Sequence, residues 1–136
     1  VDYEALAAEL TNDPIGRNYA AMADEDVVIS LNTEDRTRIK SWVTGYDVFR
    51  ATDPTEFESK TEVQRREWMM LCAIDQLDPD NNGIMVALAQ SIFDIPANSP
   101  TVQALIVLRT ETITRFQELG FGFKAVLGDV QNARNL

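Results

Sequence analysis

Thr61-Glu62-Val63-Gln64 heads a stretch that runs through Trp68, Met69, Met70, Leu71, Cys72 and Ile74 to Leu77, and its reading decides the fold. A threonine followed three residues later by glutamine is a capping box, in which each side chain satisfies a backbone N–H that the first helical turn leaves unbonded. The spacing predicts a helix to about Leu77, rich in apolar side chains.

The same logic extends on both sides. Thr44-Gly45-Tyr46-Asp47 resembles a capping box with aspartate in the last place. It opens a helix that buries Val48 and Phe49, with Tyr46 as a further candidate. Asp53-Pro54 reads as a cap with proline at the first helical position, carrying Phe57 inward. After a polar turn over 78–83, Ile84–Phe93 forms a largely apolar helix stopped by Asp94 and Pro96. Ser99 and Pro100 then start the longest helix, with Val102, Leu105, Ile106, Leu108, Ile113, Phe116 and Leu119. Gly120 ends it and Phe121 folds back on the last turn. Residues 121–127 read as extended, and Asp129 caps a short terminal helix with Val130 and Ala133.

At the other end, Tyr3, Leu6, Ala7 and Leu10 recur at helical spacing until Asn12-Asp13-Pro14 and Gly16 break it. Asp24 is the expected N-cap of a second helix, with Glu25 and Asp26 in its first turn and Val27, Val28 and Leu31 on its apolar side. The expectation is an all-α fold. It is a compact bundle of six to eight short helices around one core, with at most a minor strand near the C-terminus. A length of 136 residues fits one domain over 1–136.

Charge is uneven along the chain. Residues 1–35 hold nine acids against one base, Arg17, within a total net charge of -10. Such a field repels phosphate backbones, so sequence-specific nucleic-acid binding is not expected. No apolar run is long enough to cross a bilayer and no charged leader opens the chain, so a membrane role is not expected either.

The apolar helices at 63–77, 84–93 and 102–119 are expected to make the core. The acidic segment 1–35 then lies outside as a docking arm, with Arg17, Tyr19, Asp24, Glu25 and Asp26 as contact residues. Arg17 either pairs internally, the preferred reading, or reaches a partner.

Chemistry has few footholds. There is no histidine, hence no imidazole base or ligand, and one cysteine, Cys72, which reads as a small buried hydrophobe. Gly120-Phe121-Gly122 follows a helix and lacks the third glycine of a dinucleotide fingerprint. No enzymatic activity and no cofactor are expected. Asp78, Asp80 and Asn82 match ligand positions one, three and five of a calcium loop, with Gly83 at six. Position twelve would be Ala89 where a bidentate glutamate is needed, and position nine would be Val86. A helix-to-helix turn, with Asn82-Gly83 at positive φ, is the preferred reading. Arg36, Arg38 and Lys40 before Trp42, and Arg65-Arg66, are basic clusters. They either touch phosphate or pair with the N-terminal acids, and the acidic surroundings favour pairing.

Several stretches together resemble a family of short proteins of tailed bacteriophages and prophages. They are Asn12-Asp13-Pro14-Ile15-Gly16-Arg17-Asn18-Tyr19 with Met22; Ser30-Leu31-Asn32-Thr33; Arg36; the turn from Asp53 to Phe57; and Glu118-Leu119-Gly120-Phe121-Gly122 through Gly128-Asp129-Val130 to Ala133-Arg134. The family pattern has glycine where Asn18 and Ala21 stand. These motifs are turns and caps and transfer no active site. The resemblance implies a virion structural or assembly component of head, neck or tail, made in the host cytoplasm. Such a component acts by binding other phage structural proteins and forms a homo-oligomer or ring. The alternative is a non-virion acidic protein that inhibits by covering a basic host surface.

Overall fold

The computed structural model describes residues 1–93 and 98–136. In chain order the elements are α1 (Tyr3–Asn12), a 3-10 turn (Tyr19–Ala21), α2 (Asp24–Leu31), β1 (Arg36–Ile39), α3 (Gly45–Ala51), α4 (Pro54–Glu58), α5 (Glu62–Cys72), α6 (Ile84–Phe93), α7 (Pro100–Arg109), β2 (Thr110–Ile113), α8 (Arg115–Glu118) and α9 (Leu127–Arg134). Helices dominate, and β1 pairs with β2 in a two-stranded sheet. The fold is mostly α with a minor strand pair. The helix stop assigned to Asp94 and Pro96 lies outside the described residues.

Local capping sets most helix starts. Thr44, Asp53, Thr61 and Ser99 accept hydrogen bonds from the backbone N–H groups of Asp47, Glu56, Gln64 and Val102 at 2.8–3.1 Å. Gln64 closes its box by accepting from the Thr61 N–H at 3.1 Å. Each such cap contributes about 1 kcal/mol.

Several expected boundaries move. The helix from Ser99 stops at Arg109 rather than Gly120. Thr110, Thr112, Ile113 and Thr114 are β-branched and favour extended backbone, and the Lys40 N–H donates to the Arg109 carbonyl at 2.8 Å. Thr114 then opens α8 with a capping box of its own, completed by Gln117. Helix α5 ends at Cys72 instead of Leu77. Beyond it the backbone is engaged elsewhere: the Gly45 N–H donates to the Ile74 carbonyl at 2.9 Å, and Val43 and Leu77 exchange two bonds of 2.9 and 2.8 Å.

Gly45 is required at that crossing, because a Cβ there would lie 2.2 Å from the Cys72 carbonyl oxygen. Helix α3 buries Val48 but leaves Tyr46 and Phe49 exposed, contrary to expectation. Asp24 and Asp129 are not N-caps either. They sit inside the first turns of α2 and α9, with Ala23 and Val126 in the cap positions.

The described residues gather into two units, and in place of one core there are two apolar clusters. Unit 1 comprises 1–38 and 112–136. Its core is Leu6, Leu10, Tyr19, Val27, Leu31, Phe116, Ala125, Val130 and Ala133. Unit 2 comprises 39–111. There Trp68 packs edge-on against Phe93 at 4.9 Å between ring centroids, among Val43, Val48, Leu71, Leu77, Met85, Ala89, Ile92 and Leu105. The docking arm expected over 1–35 is therefore corrected. Its apolar side chains supply five of the nine buried residues of the unit 1 cluster, and Leu6, Tyr19, Val27 and Leu31 are wholly buried. An amphipathic helix with Leu6 and Leu10 on one face is stable only when that face is covered.

Leu6→Ala is expected to destabilise the protein by about 2–5 kcal/mol in chemical denaturation followed by circular dichroism. A loss below about 0.5 kcal/mol, the scale of surface substitutions, would mean that the N-terminal helix lies outside the core after all.

Candidate functional site

Unit 2 carries an exposed apolar face. The end of α5 and the start of α3 cross closely at Gly45, which turns the outer sides of both helices into one surface. Trp42, Tyr46, Phe49, Met69 and Ile74 are 52, 64, 50, 43 and 42% exposed. They are contiguous: one concavity is lined by Trp42, Tyr46, Cys72 and Ile74, and the next by Tyr46, Phe49, Met69 and Cys72. A third, of about 370 Å³, runs from Phe49 and Met69 to Phe57 and Trp68, with Arg50 and Glu58 among its lining residues. The Arg50 guanidinium lies 5.8 Å from the centroid of the Tyr46 ring. Scattered apolar side chains on a surface are ordinary, whereas a joined aromatic and methionine face is what partners bind. Burial pushes the Cys72 thiol up to about 11, so it stays protonated at neutral pH and is a poor nucleophile.

The sequence-derived contact residues lie in unit 1, and most are engaged internally. Arg17 donates to the Ser30 carbonyl at 2.6 Å, the Ser30 hydroxyl at 3.2 Å and Asp35 at 2.6 Å, which is the internal pairing preferred for it. Its loop is shaped by Asp13, Gly16 and Asn18, all at positive φ, with the Asp13 carboxylate accepting from the N–H groups of Arg17 and Asn18. Asparagine tolerates the left-handed conformation better than most residues, so Asn18 serves where glycine would. Tyr19 is fully buried and its hydroxyl donates to Glu9 at 3.3 Å. Asp24 accepts from Arg134 at 2.6 Å. Glu25 and Asp26 are exposed on the first turn of α2.

The interior charges were not legible in the sequence. Arg115 donates to both Glu9 oxygens, at 2.9 and 2.8 Å, and to Glu118, which also accepts from Arg36 at 3.0 Å. Burial opposes the Glu118 charge, but hydrogen bonds from Arg36 and Arg115 hold its carboxyl below the usual range. Arg36 thus pairs with Glu118 rather than with an N-terminal acid. Arg65 and Arg66 pair with Glu58 and Glu62, each at 3.3 Å, and Arg38 too is engaged.

In the turn over 78–83, Asp78 accepts from the Asp80 N–H, while Arg109 donates to the Pro79 carbonyl and to Asn81 at 3.3 and 2.8 Å. Among the described residues no group of three or more acidic, cysteine or histidine side chains is placed to hold a metal ion. Asn82 and Gly83 do not take positive φ, contrary to expectation. Gly83 answers a different need, because a Cβ there would lie 2.5 Å from the Asp78 carbonyl oxygen. No described helix is long and apolar enough to cross a membrane.

Comparison of the chain with protein-family models, with curated proteins and with solved structures gives no significant match.

Glu56 of α4 meets the start of α7, accepting from the Ser99 hydroxyl at 2.9 Å and the Thr101 N–H at 3.0 Å. Burial disfavours its charge, yet bonds from the Thr101 and Ser99 hydroxyls and the Thr101 N–H outweigh this and hold the carboxyl below its ordinary value of 4.5. A depressed carboxylate stabilises the fold above its unfolded value, and that stabilisation is lost as pH falls through the depressed one. Glu56→Gln should therefore lower the melting temperature at neutral pH by an amount that shrinks as the pH drops below 4.5. A gap that stays constant down to about pH 2 would contradict the assignment.

Proposed function

We propose that this protein is a structural or assembly subunit of a tailed-phage particle that works by protein–protein binding. The observation that carries the reading is the joined apolar face of Trp42, Tyr46, Phe49, Met69 and Ile74, each more than 40% exposed. A face of that composition is unfavourable in water and is stabilised when a neighbour covers it.

The phage resemblance gives the kind of neighbour, namely other particle proteins. The residues that carry it interlock: Arg17 with Ser30, Asn32 with Ala125 through two bonds of 2.9 and 2.8 Å, Arg36 with Glu118, and Arg134 with the carbonyls of Tyr19 and Met22. Motifs of that kind specify a scaffold.

The acidic-inhibitor alternative draws less support. Much of the N-terminal acidity has local structural work: Asp2 caps α1, Glu9 is buried, Asp13 shapes a turn, and Asp24 and Asp35 pair with arginines.

Mass spectrometry of purified particles is expected to detect the protein in several copies per virion. Abundance in infected cells together with absence from particles would reject the virion reading.

A further inference from the structure

The concavities on unit 2 form a furrow with a direction. The first and second share Phe49 and Met69, and the second and third share Tyr46 and Cys72, so each opens into the next. In the first, of about 370 Å³, part of the wall is the buried Trp68, fixed by the bond from its indole N–H to the Thr52 hydroxyl at 2.9 Å. That volume is at the small end of the range for ligand pockets, about 300–1,000 Å³, and suits one or two large apolar side chains. A free molecule confined there would leave the other two concavities bare, whereas a polypeptide lying along the furrow covers all three.

The charges stand at opposite ends. Arg50 and Glu58 line the first concavity, none of the residues lining the second is charged, and Asp75 lines the third. Glu58 is balanced by Arg65 at 3.3 Å, so the uncompensated charge at that end is Arg50. Arg17, Arg36, Arg65, Arg66, Arg115 and Arg134 each meet a carboxylate. Among the described residues neither Arg50 nor Asp75 takes part in an ion pair, and Arg50 has only the Tyr46 ring, 5.8 Å away. A partner of one sign would gain at one end of the furrow and be repelled at the other.

We infer that the furrow receives a segment of a partner protein in which apolar side chains lie between an acidic residue, set over Arg50, and a basic residue, set over Asp75. The inference rests on the binding function proposed above and gives its apolar face a partner of defined chemistry. Aromatic and methionine side chains grip the middle of the segment, and the two end charges fix which way it runs.

Selection of displayed random peptides against the full chain tests this, with peptides of about twelve residues that reach roughly 40 Å when extended. The expected binders carry large apolar residues bracketed by an acid and a base, with affinities read by fluorescence polarisation. Phe49→Ala, where the first two concavities join, should weaken them about thirtyfold or more. Arg50→Glu and Asp75→Lys should each weaken them about tenfold, and the Arg50→Glu loss should be regained when the acid of the peptide is replaced by lysine. All three positions are exposed, so circular dichroism should stay unchanged. Arg50→Gln, about fivefold weaker, replaces the reversal should the last turn of α3 be disturbed. Selected peptides that lack the charge bracket, or that bind the wild type and the variants equally, would overturn the inference. N-acetylleucine binding as tightly as the peptides would overturn it too, making the occupant a free apolar carboxylate. If particles contain the protein but the furrow selects no peptide, this occupant falls and the subunit reading stands. Charge-dependent peptide binding by a protein absent from particles would uphold the furrow and reject the virion.

Discussion

A carboxylate and a guanidinium shut away from water hold unit 1 together. Glu9 of α1 and Arg115 of α8 are separated by 106 positions in sequence, are only 6 and 9% exposed, and meet through two hydrogen bonds. Removing such charges from water costs several kcal/mol per ion, and the cost is met only if every remaining valence is filled. Tyr19 fills one on Glu9, and Glu118 fills one on Arg115 and is itself balanced by Arg36. The four formal charges cancel. Burial first, and then the Glu9 carboxylate, push the Tyr19 phenol up to about 12, so it remains a neutral donor throughout the ordinary pH range.

This constraint dictates the path of the chain. Unit 1 closes only when its first 38 residues and its last 25 come together, so the segment 39–111 must leave and return at neighbouring points. It does so in β1 and β2, which are paired. Around the buried pair the closure is repeated by weaker links. The Asn32 side-chain amide pairs with the Ala125 backbone in both directions, and the Tyr3 hydroxyl donates to Asp129 at 3.3 Å. The interior charges are thus satisfied within unit 1, whereas unit 2 has an apolar core and exposes Trp42, Tyr46 and Phe49.

The sequence revealed what depends on near neighbours. Thr44, Asp53, Thr61 and Ser99 could be read as caps because a cap needs only the next three residues. The same rule would have found Thr114-Arg115-Phe116-Gln117, but the apolar period running on through Ile113 to Leu119 masked both that box and β2. The run of β-branched residues from Thr110 was the available signal. Whether Tyr46 and Phe49 face inward could not be read locally, since it depends on Gly45 meeting the carbonyls after α5. Pairing of Glu9 with Arg115 was beyond reach, because nothing in the intervening hundred residues distinguishes one acid of 22 or one base of 12 from the rest. The acidity of the first 35 residues invited an external role, and their apolar positions decided otherwise.

The most direct test of the account is a double-mutant cycle at the buried pair, using Glu9→Met, Arg115→Met and both together, read by urea denaturation. Each single change strands a buried charge and should cost about 3–5 kcal/mol, whereas the double change removes both charges and should cost far less than the two combined. Two single effects below about 1 kcal/mol that simply add would contradict the claim that this ion pair closes the fold.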